Sequence, residues 1–395
     1  MPSRSREEIR VVACLFLVLF LGVADNIILS PLLPAIRTQF GKSSSDMGYL
    51  FSGYSFCAGL SVLIWGPLSD AFGRKRGLLC GLAVFTAGSL VSFLCTGFFM
   101  LLAGRIIAGM GASMLSLNSI AYAADFFPYE SRGWAMGSIL SSYFAALILG
   151  IPLGSWLADA FGWKMVFGAI GGIALSLFFM SYCLIPNTGP GVNKGRVLPV
   201  HGYVRQYVGF LKSRSSVAAL FCSFFASAGT MGFLAFLGSW LHDTFGISNS
   251  KTGLVFLAAG AAALFASPLA GSIADKIGKR TQFLYSSAAL ALFLLVLPRV
   301  FWGIPLFVVL GIISLAAAFR QGPMEAVLTE IAGAASRGMF VALKNSFSQL
   351  GIGVATMLSG ILFEASGYGA VCHLGSAFCL LAAVSMIFTF RERNL

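Results

Sequence analysis

Long apolar runs separated by short polar stops fill nearly the whole chain. A hydrocarbon layer about 30 Å thick needs roughly 20 helical residues to cross it. Twelve runs meet that length, near 10–35, 46–68, 76–95, 98–122, 134–158, 164–184, 216–241, 251–273, 280–298, 302–326, 339–363 and 368–390. The first is too long for a cleavable signal segment and is followed by many others. The pattern breaks once, between 185 and 215, where Pro186, Gly189-Pro190-Gly191, Lys194, Arg196, Arg205, Lys212 and Arg214 make a polar, basic stretch. The expected organisation is an all-α membrane protein of 12 transmembrane helices: a six-helix bundle over 1–184, a connector over 185–215 and a second bundle over 216–395.

The two bundles are copies of one unit. Phe40-Gly41 returns 205 positions later as Phe245-Gly246, Gly48 as Gly253, Ser131-Arg132-Gly133 as Ser336-Arg337-Gly338 and Gly162 as Gly367. A constant offset across more than a hundred positions marks two six-helix pseudo-repeats, an organisation common among secondary transporters.

Composition agrees with a bilayer as solvent. Residues are 58% hydrophobic and 10% charged, against about 25% charged in soluble domains. The formal charge of +12 reflects Lys and Arg in short loops, so it reports topology and not nucleic-acid binding. Arg4, Arg6, Arg10, Arg74, Lys75, Arg76, Arg132, Lys276, Lys279, Arg280, Arg337, Arg391 and Arg393 lie at one set of span ends, together with the basic connector. The opposite ends carry Arg37, Lys42, Lys164, Lys251 and Arg299. Both termini are therefore expected in the cytoplasm, with the chain in the plasma (bacterial inner) membrane. The eight cysteines fall almost entirely within apolar runs and form no CxxC, so they read as packing residues.

Gly66-Pro67-Leu68-Ser69-Asp70-Ala71-Phe72-Gly73-Arg74-Lys75-Arg76 joins the second and third spans, and Gly271 to Arg280, with Asp275 and Gly278, repeats it. Its glycines suit a tight turn and close helix contact. Asp70 ends one helix and Arg132 begins another, each on the unfavourable side of a helix dipole, so pairing would relieve both. Asp125 precedes Arg132 by seven positions and Glu330 precedes Arg337 by seven.

This doubled loop resembles the G-x-L-x-D-x-x-G-[RK]-[RK]-[RK] signature of the major facilitator superfamily, and the resemblance covers essentially the whole chain. It implies the major facilitator fold, and a gating role for Gly66, Asp70, Gly73, Arg74, Asp125, Arg132, Asp275, Gly278, Glu330 and Arg337, in clusters that hold the halves together in one state and part in another. Arg105-Ile-Ile-Ala-Gly109-Met-Gly111 resembles the R-x-x-x-G-x-G motif of the proton-driven branch, with Ala108 where Gln is frequent. Gly150, Pro152 and Gly154 in the fifth span resemble the kink signature of the twelve-helix drug:proton and arabinose-type sugar efflux permeases.

A charge at membrane depth costs about 2.5–3.5 kcal/mol on insertion scales and is a functional candidate by default. Asp25 lies roughly 22 Å along the first span and Arg105 roughly 10 Å down the fourth from the other side, at 1.5 Å per residue, so their depths match. Burial opposes the charge of such a carboxylate and a neighbouring cation supports it, which suits Asp25 and Arg105 to proton coupling. Arg320 and Glu325 are about 140° apart on their helix and do not face each other. Arg320 breaks the repeat, whose other copy has Leu115, so it is expected to serve substrate. Asn26, Asn118, Tyr143, Glu325 and Gln349 complete the expected cavity lining, with Lys344 placed to snorkel.

The chain has no GxxxxGK[ST] phosphate loop, no nucleophilic triad and no metal constellation, so no enzyme activity or cofactor is expected and energy would come from the proton gradient. The expectation is a monomeric, proton-coupled exporter of a small molecule that works by alternating access within the lipid bilayer. An importer or exporter of an organic anion or zwitterion on the same fold is the alternative, and a non-transporting membrane receptor a third reading.

Overall fold

The computed structural model describes residues 5–187, 200–331 and 337–389. Among them are α1 (Arg6–Ile27), α2 (Leu29–Phe40), α3 (Ser44–Phe72), α4 (Arg74–Phe93), α5 (Phe98–Phe126), α6 (Tyr129–Leu140), α7 (Ser142–Ala145), α8 (Ile151–Phe161) and α9 (Trp163–Leu184) in the first half. The second has α10 (Val200–Lys212), α11 (Arg214–Phe245), α12 (Asn249–Ile277), α13 (Lys279–Val296), α14 (Ile304–Glu330), α15 (Arg337–Ser366) and α16 (Tyr368–Phe388). Eleven segments are long and apolar enough to cross a membrane, and α1 with α2 make a twelfth, bent by 44°. The ends near residues 6, 73, 127 and 278 share one face, here the terminal face; those near 41, 162, 246 and 367 form the distal face.

The first span is broken where the sequence suggests one straight helix. Pro31 has no amide hydrogen to donate to the Ile27 carbonyl, and its ring clashes there, so the helix bends at Ile28. The Gly150–Gly154 region departs from α-geometry differently. A π-turn spans Ala146–Gly150 immediately before Pro152, the wide turn that accommodates a missing hydrogen bond. The described C-terminal part of the connector is helical, which its polar composition does not suggest. Residues 200–212 form α10, whose Tyr203, Tyr207 and Phe210 recur at helical spacing; Tyr203 is buried, and Tyr207 and Phe210 pack on the second half, with Phe210 edge-on to Phe340 at 5.3 Å.

Glycines set how closely helices approach. The loop glycines Gly41, Gly73 and Gly162 and their repeats Gly246, Gly278 and Gly367 all have positive φ, the region only glycine enters freely, so both halves turn alike. Within the first half, a Cβ on Gly109 would lie 2.3 Å from the Tyr54 carbonyl oxygen of α3, and one on Gly111 2.5 Å from the Phe85 nitrogen of α4. The R-x-x-x-G-x-G stretch thus lets α5 touch both neighbours. Gly66 and Gly271 differ from expectation: nothing lies within 4 Å of a Cβ at either, so neither mediates close helix contact in this conformation.

Gly109→Ala should destabilise the protein by about 1–3 kcal/mol through overpacking against backbone. Gly137→Ala, where a Cβ meets open space, should melt at or slightly above the parent temperature. Thermal denaturation in detergent checks this; equal melting of the two variants would contradict the packing described.

Candidate transport site

Asp25 and Arg105 meet. Arg105 Nη1 donates to both carboxylate oxygens of Asp25, at 2.8 and 2.9 Å, and Nη2 to the Asp25 main-chain carbonyl at 3.3 Å. Both side chains are fully buried. The guanidinium therefore sits at the C-terminal end of α1, where a cation complements the helix dipole. It also lies over the Tyr54 ring at 4.7 Å and near Phe167 at 5.4 Å, so aromatic faces supply what water would. The α1 bend puts this C-terminus mid-membrane, and the glycine contact at Tyr54 brings the ring within reach. On the other side of α1, Cβ atoms at Gly150 and Gly154 would lie 2.8 Å from Ala24 and Ile28, while Gly253 of α12 packs on Pro152. The Gly150–Gly154 segment is thus wedged between the broken first helix and the opposite half.

Asn26 adjoins this pair and lines a space between the halves with Ile27, Ser30, Phe51, Met231, Leu234, Ala235, Ile352 and Thr356. Its volume is only about 10 Å³, room for about one water. Gln349 abuts Gly59 across the halves, its carbonyl oxygen buried without a hydrogen bond. Tyr143 is surrounded by protein yet 42% exposed, within electrostatic reach of Glu325, as befits the wall of a crevice. Glu325 accepts from Lys344 at 2.5 Å and is 41% exposed, whereas Lys344 is 5% exposed; Lys344 is an ion-pair partner and does not snorkel. Arg320, nearly buried, turns away from Glu325 to Thr230, Ala226 and Cys379.

Asn118 does not line the cavity. It is fully buried, donates to the Met114 carbonyl at 2.8 Å, and fills the notch left by Gly77 of α4. Its position on the face of α5 toward α4 makes it packing within the first half.

The loop charges are partly described. Arg74 Nε donates to Asp125 at 3.2 Å and Nη1 to Ser69 at 2.7 Å. Arg132 donates to the Phe127 carbonyl through Nε and Nη2. Asp275 is exposed. The side chains of Asp70, Glu330 and Arg337 lie outside those described, so the expected Asp70–Arg132 pairing rests on a residue without a described side chain.

The structure adds contacts that the sequence reading passed over, all at the distal face. Asp159 accepts from the Ser250 amide and hydroxyl, at 2.8 and 2.5 Å, and from Asn249 at 2.8 Å. Glu364 accepts from the Ser45 amide at 2.9 Å. These are one latch made twice: Asp159 and Glu364 are repeat positions, as are Ser45 and Ser250. In each, a carboxylate from the end of one half caps the N-terminus of a helix in the other, a favourable site for an anion. Arg37 adds a bond to Asp243 at 2.9 Å, and Ser30 bonds the Leu234 carbonyl and Gly238 amide. All of these hydrogen bonds between the halves lie on this distal side. The repeat offset could have found the latches, since it aligns two acids and two serines.

Removing one partner of a buried ion pair leaves the other charge stranded, at a cost of about 3–5 kcal/mol. Asp25→Ala should therefore lower thermal stability markedly, and Asp25→Ala/Arg105→Leu should recover most of the loss. A double variant no more stable than the single one would mean that the pair is not the source of the effect.

The chain matches the family model described as Major Facilitator Superfamily over residues 15–214 and 219–394. It is 27% identical over 382 residues to the uncharacterized MFS-type transporter YwfA of Bacillus subtilis (strain 168), covering 94% of this chain and 90% of YwfA. It is 25% identical over 345 residues to the multidrug resistance protein Stp of Mycobacterium tuberculosis (strain CDC 1551 / Oshkosh), covering 74% of this chain and 64% of Stp. Its fold is similar to that of a bacterial homologue of the human lysosomal transporter Spinster, solved in an inward-facing, unoccupied conformation, with a TM-score of 0.73, 17% identity and coverage of 98% and 95%. With a buried ion pair between its first and fourth spans, duplicated loop turns and a family match across both halves, the chain belongs to the major facilitator superfamily of membrane transporters.

Proposed function

We propose that the protein is a proton-coupled exporter of small molecules in the plasma (bacterial inner) membrane, with the terminal face in the cytoplasm. The orientation rests on the concentration of Lys and Arg at the terminal ends. The state described is then inward-facing, with its outer side latched.

The observation that carries the reading is the Asp25–Arg105 pair, fully buried within the first half against a bent helix, beside Asn26, which lines the space between the halves. In this state the carboxylate accepts two guanidinium hydrogen bonds. Rocking the halves to open the distal face separates α2 from α11, where Ser30 bonds Leu234 and Gly238, and lets water reach Asp25. A carboxylate that is paired and dry in one state and wet in the other changes its proton affinity with the cycle. Proton loading on the outside then drives the return to the inward-facing state, and loss of the proton inside restores the pair. The export direction is supported by the Gly-x-Pro-x-Gly segment in the fifth span and by the multidrug resistance assigned to the relative Stp. A carrier of organic anions or zwitterions on the same fold is the second reading, supported by two buried cations of the second half, Arg320 and Lys344, of which only Lys344 pairs with a carboxylate, Glu325.

Two outcomes are expected in proteoliposomes. Asp25→Asn should lose substrate movement driven by a pH gradient, by 10-fold or more, while retaining substrate exchange at equal pH; full gradient-driven transport in this variant would remove Asp25 from the coupling. In Asp159→Cys/Ser250→Cys, a short bis-methanethiosulfonate cross-linker should block transport and a reductant should restore it. Unaffected transport in the cross-linked protein would show that the distal face does not need to open.

A further inference from the structure

The offset that aligns Phe40 with Phe245 also aligns Asp25 of α1 with Thr230 of α11. In the first half Asp25 receives the guanidinium of Arg105 from α5. In the second half Thr230 receives the guanidinium of Arg320 from α14. The two arginines are not repeat mates: Arg105 aligns with Leu310 and Arg320 with Leu115. Ten repeat positions separate them, about 15 Å of helix, so one reaches the shared position from the distal side and the other from the terminal side. Both halves place a guanidinium at one structural position by different routes, and they differ in what it meets.

Arg105 meets a carboxylate. Arg320 meets three neutral acceptors: the Thr230 hydroxyl, the Ala226 carbonyl at 2.8 Å and the Cys379 sulfur at 3.5 Å. Arg320 is 3% exposed and has no carboxylate within ion-pairing distance among the described residues. Glu325, the acid nearest in sequence, is held by Lys344 at 2.5 Å. The interior of the second half therefore carries two cations against one carboxylate, whereas the first half is balanced. An interior cation of this kind calls for a compensating anion. The scaffold accommodates one at this very position, because the first half has it as Asp25.

We propose that Arg320 and Thr230 form an anion-binding subsite, filled by the carboxylate of the transported compound. The proposal rests on the transporter reading and names its substrate class. Thr230 is only half-buried and is followed by Met231 and Leu234, which line the space between the halves. Apart from Asn26, Ser30 and Thr356 that lining is apolar, and although it encloses about one water in this state, the faces it would present to cargo when the halves part favour a monoanion with an apolar body. The carboxylate accepts from Arg320 in place of the Thr230 hydroxyl, as Asp25 accepts from Arg105.

The test uses matched pairs differing only in charge: benzoate, phenylacetate and 2-naphthoate against their amides. Binding is read as a rise in melting temperature of the full chain in detergent, and transport as proton flux in proteoliposomes holding a pH-sensitive dye. Carboxylates should raise the melting temperature and the amides should not. Thr230→Asp supplies the anion from the protein, so this variant should fold at least as stably as the parent and lose the carboxylate response 10-fold or more in apparent affinity. Thr230→Ser should keep it. Carboxylates that act no better than amides, or a response intact in Thr230→Asp, would overturn the site. If lipophilic cations such as tetraphenylphosphonium drive proton flux and carboxylates neither bind nor do so, the anion subsite is wrong and the transporter reading stands. If carboxylates bind in the Thr230-dependent way and no compound drives flux, the subsite stands and proton-coupled transport fails.

Discussion

A guanidinium and a carboxylate without access to water must be satisfied by protein, and the first half is organised around doing so. Asp25 and Arg105 hold each other with three hydrogen bonds, but each also needs its surroundings arranged. The proline-induced bend ends α1 within the membrane and gives Arg105 the negative end of a helix dipole. Gly109 brings α3 close enough for Tyr54 to cover the guanidinium. Gly150 and Gly154 let α1 approach the fifth span from behind. An α1 without its bend would not present this C-terminus, and a bulkier residue at Gly109 would move the ring away. The motif residues and the pair are thus a single packing solution to one electrostatic problem.

The halves differ in how they meet. At the distal face their contacts follow the internal symmetry, with Asp159 on Ser250 mirrored by Glu364 on Ser45. Each latch is a carboxylate on a helix N-terminus, exposed enough to exchange protein partners for water at modest cost. That suits a contact that must form and break in every transport cycle. Symmetry is broken at membrane depth, where Thr230 stands opposite Asp25. The contacts that tie the halves at the distal face are duplicated, and the interior charges are not.

The apolar spans, the 205-position repeat and the loop glycines are legible in the chain because each depends on local composition or on a φ that only glycine adopts easily. Asp25 and Arg105 are legible as a pair because depth along a helix follows from residue count alone. Asn118 shows where that reasoning stops. Its depth is right for a cavity, but its direction is not: it points at Gly77 of α4, and helix rotation is set by packing partners that no single span encodes. The α10 helix was written in the spacing of Tyr203, Tyr207 and Phe210, hidden by the surrounding charge.

By itself, then, the sequence determined apolar membrane helices in two copies, the turns that join them and the presence of costly interior charges. These follow from hydrophobic length, from glycine stereochemistry and from the price of a charge in hydrocarbon. Only the tertiary structure decided which interior charges meet a carboxylate and which meet neutral groups, and which residues latch the halves at the distal face. Those depend on distances of a few ångströms between residues 80 to more than 300 positions apart, and such distances exist only once the helices have packed.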